Sequence, residues 1–162
     1  MRKMKIEYRT PTNEEMDFGE LTTLIEDAEY HFEDIIKDTI GSEFEGNFRG
    51  LRYEDYVLLA YDTDRDTFAG VVILENFRDK DEHFCNLNNL YVKSWYWWNG
   101  IGSELVRRAI SEARSAGKKV TLSVLAKNEI GRKFWGKFNC LKPISTDYVV
   151  DYEAYDAEEK KC

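Results

Sequence analysis

The spacing of apolar and polar residues in the first half of the chain predicts one helix and four strands. Apolar residues alternate with polar ones at residues 5–9, which predicts a short strand. Thr12 and Glu15 have the spacing of a helix capping box, and the apolar residues that follow recur at helical intervals as far as Thr39. Runs rich in β-branched, aromatic and other apolar residues predict the next strands, at residues 56–61, 67–77 and 84–92.

In the next part of the chain, a strand, a helix and a second strand follow one another. Residues 103–116 place their apolar side chains on one helical face, and Gly117 is a typical residue for ending such a helix. The β-branched run at 120–125 predicts a central strand. Residues 84–125 therefore predict a βαβ unit with parallel strands, and with the preceding meander they predict an α/β fold built on a mixed sheet.

The last part of the chain predicts a short helix, a strand and a charged tail. Asn128 is a suitable N-cap for the helix, and residues 147–155 predict the strand before a tail at about 156–162. No repeat or linker interrupts the pattern, so a single domain is expected over residues 1–162. The apolar residues that we expect on the buried side of the short helix are Ile130, Phe134 and Phe138.

Composition narrows the class of protein. The chain has 162 residues, of which 43% are hydrophobic and 33% charged, which is typical of a soluble globular domain. It contains neither an apolar run near the roughly 20 residues of a membrane span nor a secretory leader, so we expect no membrane partner. Three widely spaced cysteines favour reduced thiols over a metal site or disulfide framework, and with them a cytoplasmic location.

A glycine-containing loop at residues 99–103 is the strongest candidate for chemistry. It lies between the strand at 84–92 and the helix at 103–116, and it carries Gly100 and Gly102. Unpaired N–H groups at a helix N-terminus carry partial positive charge, and glycine lets an anion approach them closely. A phosphorylated cofactor is therefore expected here. The third glycine of a dinucleotide fingerprint and the Gly-Lys-Ser/Thr of a P-loop are both absent.

The charges divide the chain into an acidic and a basic part. The formal net charge is −8, yet residues 90–142 carry eleven basic residues against three acidic ones. Residues 13–45 carry twelve acidic residues and only Lys37 as a strong base. The basic part suits an anionic cofactor and the acidic part a cationic partner, although solvated helix faces would give the same pattern. The acidic balance disfavours nucleic acid as a partner.

Two segments together resemble the GNAT superfamily of N-acetyltransferases. The family's cofactor segment has the form Leu-x-x-Leu-x-Val, a loop, then Arg/Gln-x-x-Gly-x-Gly/Ala, and residues 87–92 and 97–102 match it except that Trp97 replaces Arg or Gln. The family's later segment, Asn-x-x-Ala-x-x-Phe-Tyr-x-Lys, is matched at 128–137, where Trp135 replaces tyrosine. The resemblance covers residues 84–140 and implies a mixed, mostly antiparallel sheet flanked by helices.

The resemblance implies acetyl-CoA as the cofactor and direct transfer of its acetyl group to an amine. Strand residues would pair with the pantetheine arm, an N–H near Val92 would polarise the thioester carbonyl, and the loop would cradle the pyrophosphate. The outer phosphates would be reached by Lys137, Arg132 or Lys133 as point charges. The cofactor-binding residues expected in this way are Leu90, Tyr91, Val92, Trp97, Trp98, Asn99, Gly100, Ile101, Gly102, Ser103, Asn128, Phe134 and Lys137.

The acid and base for the reaction are less well marked. An alkyl ammonium must lose a proton before its nitrogen can attack, which calls for a general base. Glu75, on the strand beside the cofactor strand, is a candidate for that base. Asn86 occupies a position where some family members have a glutamate base, and its amide would order a water molecule. An indole cannot titrate, so with Trp135 in place of tyrosine either another group supplies the proton or the thiolate leaves unassisted. Among titratable groups, Tyr148 is the expected acid.

The aromatic run at residues 95–98 admits several roles. Its rings could stack on adenine, clamp a cationic substrate or form a homodimer interface, or they could simply cover the core and the loop. The leading hypothesis is an acetyl-CoA-dependent N-acetyltransferase for a primary amine of a cationic small molecule or protein. The alternative is a weakly active or inactive GNAT-fold protein that acts by CoA binding or protein–protein contact, which Trp97 and Trp135 favour.

Overall fold

The computed structural model describes residues 3–12, 14–15, 54–124, 129–144 and 152–159. Contacts divide the chain into two compact units, and each is treated by itself. The first comprises residues 1–34 and 45–123, and the second comprises residues 35–44 and 124–162. The predicted helix between Thr12 and Thr39 lies outside the described residues except for its start. There, Thr12 and Glu15 form the expected capping box, with Thr12 N–H donating to Glu15 Oε1 at 2.9 Å and Glu15 N–H to Thr12 Oγ1 at 3.3 Å.

The first unit contains a five-stranded sheet whose strands follow in chain order. Neighbouring strands are antiparallel from the first to the fourth, and the fourth and fifth are parallel. The mixed, mostly antiparallel sheet that the sequence predicted is therefore confirmed. The strands are β1 (Ile6–Arg9), β2 (Tyr56–Asp62), β3 (Thr67–Glu75), β4 (Phe84–Val92) and β5 (Lys119–Thr121).

Helix α1 (Ile101–Ser115) connects β4 to β5 and covers one face of the sheet. Its buried residues recur every three or four positions, which is the spacing of a single helical face. Gly117 takes φ +71° just after its end, as a C-cap glycine does. These residues bury α1 against β2, β3 and β4 and so fix where its N-terminus lies: Ile101, Leu105, Val106, Ala109 and Ala113.

The core lies around β2 and β3. Residues 68–74 of β3 are all buried, because both faces of this strand are covered. On one face a cluster of buried residues packs together with the half-buried Tyr61 and Tyr91. Its members are Val57, Leu59, Phe68, Val71 and Ile73.

Two predictions about the end of the chain are corrected by the structure. The strand predicted at 120–125 comprises only Lys119–Thr121 and ends the described sheet, because β5 pairs with β4 over three residues and residues 122–124 leave the ladder. The strand predicted at 147–155 is wrong over its last residues, since helix α3 occupies Tyr152–Glu159. Ala154, Ala157 and several glutamates favour a helix there over a strand.

In the second unit, helix α2 (Glu129–Trp135) begins directly after Asn128, as predicted. Its apolar side is less covered than the sequence suggested: no described residue of α2 is buried, and Ile130 is 59% exposed. Across the described residues, no helix is both long enough and apolar enough to cross a membrane.

Candidate active site

β4 extends well beyond β5, the strand with which it pairs in parallel. β4 pairs with β5 only at Phe84, Cys85 and Asn86, although β4 continues to Val92. Among the described residues, the edge of β4 at residues 87–92 therefore has no strand on the side away from β3. Backbone N–H and C=O groups that face this open edge can pair with an extended ligand, as the edge of any sheet can.

Val92 presents its backbone groups to the open edge. The N–H of the next residue, Lys93, donates to Ala69 O of β3 at 2.9 Å. Successive residues of a strand direct their backbone groups to opposite sides, so Val92 N–H and C=O face away from β3. Trp97 Nε1 donates to this carbonyl at 2.6 Å. The indole thus binds the last peptide of β4, while Val92 N–H remains on the open side.

A β-bulge lies on β4 within the stretch that the sequence assigned to the cofactor. Val71 pairs with Tyr91 and Ile73 with Asn88, so two residues of β4 lie opposite one residue of β3, Val72. Bulges redirect backbone groups and are common next to active sites. Because the extra residue falls between Asn88 and Tyr91, Leu90 lies in the bulge.

Gly70 allows β3 to approach the end of β4 closely. A methyl group at this position would lie 2.8 Å from Tyr91 O, 3.2 Å from Val92 Cγ2 and 3.3 Å from Leu105 Cδ1. The Tyr91 carbonyl consequently faces β3, and the Tyr91 side chain packs against the core cluster. Of the predicted arm-binding residues, Val92 therefore presents its backbone to the open edge and Tyr91 does not.

The glycine loop leads into α1, which begins at Ile101, two residues before the predicted start. Gly100 is the N-cap residue with φ +76° and ψ +8°, a left-handed conformation that glycine adopts at no steric cost. The first intrahelical bond runs from Glu104 N–H to Gly100 O at 3.1 Å. The N–H groups of Ile101, Gly102 and Ser103 precede that bond and are the unpaired donors of the first turn. Since Ile101 is buried, its backbone rather than its side chain is offered to a ligand.

The aromatic run at residues 95–98 lies between β4 and α1, and its four rings differ in burial. Ser94–Tyr96 forms a short 3₁₀ helix in which Tyr96 is buried. Trp95 is 64% exposed and stacks under Arg65, whose Cζ lies 4.6 Å from the ring centroid. Trp98 is 91% exposed and takes φ +68°. The structure thus buries one ring of the run, leaves Trp97 half-buried and exposes two.

A buried hydrogen bond fixes this loop to the hairpin between β2 and β3. Tyr96 OH donates to Asp62 Oδ2 at 2.8 Å, and the N–H groups of Asp64 and Arg65 donate to Asp62 Oδ1 at 3.0 and 3.2 Å. Burial alone would raise the pKa of Asp62, which is 3% exposed, but these hydrogen bonds outweigh burial and lower it. The carboxylate is therefore charged at neutral pH and holds Tyr96 in place.

The charge nearest the first turn of α1 is neutralised within the helix. Glu104 accepts from Arg108 Nε at 2.9 Å, an i,i+4 pair, and from Arg107 Nη1 at 3.2 Å. The hydrogen bond from Arg108 is the main cause that lowers the pKa of Glu104. Because both arginines lie on the following turn, the carboxylate opposes an anion at the helix N-terminus less than a lone glutamate would.

The structure brings Glu75 and Asn86 together but separates them from Val92. The two residues are directly opposite each other on β3 and β4, and Thr121 Oγ1 approaches Asn86 Oδ1 at 3.4 Å from β5. Val92 lies six positions along the strand from Asn86, a distance of about 20 Å. A thioester held at Val92 would therefore be out of reach of either side chain. Tyr148, the predicted acid, lies outside the described residues, as does Asn128.

The remaining expected residues belong to the second unit. Phe134 is half-buried, and its ring lies 5.0 Å from that of Trp135 and 5.3 Å from that of Phe138. Trp135 is thus one member of a cluster of three rings. Lys137 is exposed in the turn after α2, and its N–H donates to Phe134 O at 3.3 Å.

A cavity of about 240 Å³ lies elsewhere in the first unit, between β1, β2 and the later turns of α1. Its arginines are already paired, Arg9 with Glu15 at 2.7 Å and Arg108 with Glu104. The cavity therefore offers no free charge of the kind that the loop offers to phosphate.

Sequence reasoning missed three features of the site: the bulge, the close approach at Gly70 and the bond from Trp97 to Val92. An isolated glycine inside a strand pattern is a known signal of a bulge or a close backbone contact, so Gly70 could have been noticed. No pattern in the sequence could have revealed the hydrogen bond from Trp97, since indole has no fixed partner.

Comparison with known proteins adds the family to this geometry. The model of the acetyltransferase (GNAT) family matches residues 19–139, while no curated protein sequence matches the chain. Similar solved structures include glucosamine-6-phosphate N-acetyltransferase from Arabidopsis thaliana, at 15% identity and a TM-score of 0.55, covering 91% of this chain and 99% of that one.

Two further solved structures share the fold at similarly low identity. An acetyltransferase from Clostridium acetobutylicum, solved with acetyl-CoA, is 14% identical with a TM-score of 0.61 and covers 92% of this chain and 98% of its own. An aminoglycoside acetyltransferase from an uncultured soil metagenomic sample, solved with trehalose, is 16% identical with a TM-score of 0.58 and covers 92% and 97%. The family model matches more than half of the chain, and acetyl-CoA is accordingly the indicated co-substrate: the chain belongs to the GNAT acetyltransferase family.

Proposed function

We propose that this protein transfers the acetyl group of acetyl-CoA to a primary amine of a cationic small molecule or protein. The observation that carries the proposal is the open edge of β4, which runs for six residues and ends at Val92, whose carbonyl accepts a hydrogen bond from Trp97 of the loop that leads into α1. An edge of this kind suits the extended, amide-containing pantetheine arm, and the helix N-terminus suits the pyrophosphate.

The residues of the loop fit a pyrophosphate. Ile101, Gly102 and Ser103 offer unpaired N–H groups, and the left-handed Gly100 turns the chain so that these groups lie at the helix end. The pairing of Glu104 with its two arginines removes an opposing charge. Backbone donors bind phosphate whatever the side chain at position 97 is, so Trp97 is compatible with binding.

The length of the pantetheine arm assigns roles along β4. An extended arm is about as long as five residues of strand, or about 17 Å. With phosphates at the N-terminus of α1, beside Val92, the arm would run back along the open edge and bring the thioester towards Asn86. Val92 N–H then serves the arm, and the N–H that polarises the thioester carbonyl belongs to a β4 residue nearer Asn86.

Acetyl-CoA supplies an activated acetyl thioester when it is bound. The amine nitrogen forms a bond to the carbonyl carbon and the carbon–sulfur bond breaks. The proton that the attacking nitrogen loses as it becomes an amide balances the proton that the leaving thiolate takes up. The ammonium must first lose its own proton, because its pKa is near 10. Glu75 lies opposite Asn86 on the neighbouring strand, so it would accept that proton through a water molecule ordered by the Asn86 amide.

The preference for a cationic amine rests on charge and on the solved relatives. The acidic residues at 13–45 would attract an amine that carries additional positive charge. The relatives include proteins named as glucosamine-6-phosphate and aminoglycoside acetyltransferases, and a further structure is described as a complex with a CoA–acetylneamine bisubstrate analogue. Amines of this kind are the first acceptors to test.

The proposal is tested by calorimetric titration with acetyl-CoA and CoA, followed by an assay of thiol release over a panel of amines. The panel comprises spermidine, an aminoglycoside, glucosamine 6-phosphate and a lysine peptide. Binding together with release of thiol by a polycationic amine is the expected result. Binding without turnover would favour the alternative of a CoA-binding protein, and absence of binding would refute the enzyme hypothesis.

Glu75→Gln separates proton removal from donor binding. We expect kcat to fall by about 100-fold while the Kd for acetyl-CoA stays unchanged, since a general base typically contributes 10²–10⁴-fold. Glu82→Gln is the matched control, because Glu82 is exposed in the turn between β3 and β4. Equal activity of the two variants would exclude Glu75 as the base.

A further inference from the structure

Trp98 combines exposure with an unfavourable backbone conformation. Its side chain is 91% exposed, and its φ of +68° lies in the left-handed region, which bulky residues other than glycine rarely adopt. Neither burial of the ring nor an intrinsic backbone preference explains a tryptophan here. Residues held in such conformations concentrate at ligand-binding positions, where the neighbouring structure imposes the strain.

The neighbouring residues hold this conformation on both sides. Asn99 Nδ2 donates to Tyr96 O at 3.1 Å and to Trp97 O at 3.0 Å, so its side chain closes the loop beneath Trp98. On the other side, Gly100 begins α1. The ring of Trp98 is therefore held outward from a fixed loop, three residues before the first turn of the helix.

Trp98 differs from Trp95, the other exposed tryptophan of the loop, in the contacts of its ring. Trp95 already has a cationic partner, the guanidinium of Arg65 at 4.6 Å. Within the described part of the chain, no ring or cation lies against Trp98. At 91% exposure, the ring is accessible to a planar ligand.

We propose that the Trp98 ring is the platform on which the adenine of acetyl-CoA stacks, so that Trp98 sets the preference for a donor that carries the nucleotide. The inference rests on the proposed function, which puts the pyrophosphate at the N-terminus of α1. In CoA the adenosine is attached directly to that pyrophosphate, on the side opposite the arm, so the base emerges beside the loop rather than along β4. An indole face is a sequence-tolerant stacking surface for a nucleobase.

The test compares Trp98→Ala with Trp95→Ala against two donors. Calorimetry measures the Kd of acetyl-CoA and of S-acetyl-4′-phosphopantetheine, which keeps the arm and one phosphate but lacks adenosine. We expect Trp98→Ala to raise the Kd of acetyl-CoA by about 5- to 150-fold, the range that removal of one stacked base produces. The Kd of the truncated donor should stay unchanged. Trp95→Ala should bind both donors as the wild type does.

Two further variants separate stacking from folding. Trp98→Gly relieves the left-handed strain, so it should unfold at the same temperature as the wild type or higher while binding acetyl-CoA as weakly as Trp98→Ala. Trp98→Phe keeps an aromatic face and should recover most of the affinity. Adenosine 3′,5′-bisphosphate should quench the tryptophan fluorescence of the wild type and of Trp95→Ala, but not that of Trp98→Ala.

The outcomes distinguish this inference from the proposed function. If the wild type binds acetyl-CoA and Trp98→Ala binds it equally well, the platform is wrong and the proposed function stands. Equal weakening of both donors by Trp98→Ala would show a general disturbance of the loop and would also overturn the platform. Loss of a dimer in Trp98→Ala at unchanged donor affinity would assign the ring to a subunit interface instead. A wild type that binds no donor would refute both.

Discussion

Gly70→Ala is the substitution with the most direct geometric consequence for the site. The added methyl group would lie 2.8 Å from Tyr91 O, where ordinary contacts begin near 3.4 Å, and it would also approach Val92 Cγ2 at 3.2 Å and Leu105 Cδ1 at 3.3 Å. The nearest of these atoms is backbone, so a change of rotamer cannot relieve the contact. Either β4 moves away from β3, or β3 moves away from both β4 and α1.

Two opposing effects set the change in the free energy of unfolding for Gly70→Ala. Overpacking in a core costs about 1–3 kcal/mol. Alanine also restricts the unfolded chain, which returns about 0.4–1 kcal/mol where the backbone conformation is compatible. We therefore expect Gly70→Ala to reduce the free energy of unfolding by about 1–2 kcal/mol. Because the displaced strand carries the open edge, we also expect the Kd for acetyl-CoA to rise about tenfold.

Gly117→Ala is the matched control for this prediction. Gly117 has φ +71°, and a methyl group there would contact nothing within 4 Å, so alanine is strained by about 1–2 kcal/mol without touching β4. Urea unfolding followed by fluorescence gives the stability of each variant, and calorimetry gives its donor affinity. The two variants should lose similar stability, and only Gly70→Ala should lose affinity. Equal affinities would refute the argument that Gly70 shapes the donor edge.

Three other predictions concern single interactions. Tyr96→Phe should lower the free energy of unfolding by about 1.5–3 kcal/mol at pH 7. The hydrogen bonds to Asp62 lower its folded-state pKa, so this stabilisation is fully present above the unfolded-state pKa of about 3.9 and is lost as the pH falls below it and through the lower folded-state pKa. Urea unfolding from pH 7 to about pH 3 should therefore show a shallower pH dependence in the variant. Lys118 Nζ donates to three backbone carbonyls in the turn between β3 and β4. Lys118→Met should therefore lower the midpoint of thermal unfolding by an amount equivalent to about 1–3 kcal/mol. An unchanged midpoint would contradict this prediction. Trp97→Phe removes the hydrogen bond to Val92 O. Calorimetry should find the Kd for acetyl-CoA raised about fivefold, and the free energy of unfolding should fall by about 1 kcal/mol. An unchanged Kd would mean that the bond does not position the strand.

Elements with strong local signals could be predicted from the sequence almost to their ends. β4 occupies Phe84–Val92 as predicted, and α1 begins two residues before the predicted start, because the glycine loop and the apolar face define it. Predictions failed where tertiary structure, rather than local sequence, determines the type or length of an element. β5 has only three residues although its run is β-branched, since it diverges from β4, and residues 152–155 form a helix within a stretch whose aromatic and β-branched residues had suggested a strand.

The site could be predicted to the level of its loop but not of its contacts. Gly100 and the first turn of α1 follow from residue types and spacing, since only backbone donors are involved. The positions of Glu75 and Asn86 opposite each other depend on the register of β3 against β4, which the bulge shifts by one residue. A sequence pattern of period two cannot carry such a shift, because one extra residue reverses the direction of every group beyond it.

The four aromatic residues in succession explain why motif matching alone misjudges this site. Residue type is nearly constant from Trp95 to Trp98, yet the backbone gives each ring a different environment: stacked under an arginine, buried on Asp62, bonded to Val92 O, and exposed. The tryptophan at position 97 replaces a charged or amide residue of the family pattern, but its N–H still serves a polar contact, with the chain's own strand. A departure from a motif is therefore weak evidence for loss of activity when the new side chain secures the backbone that binds the donor.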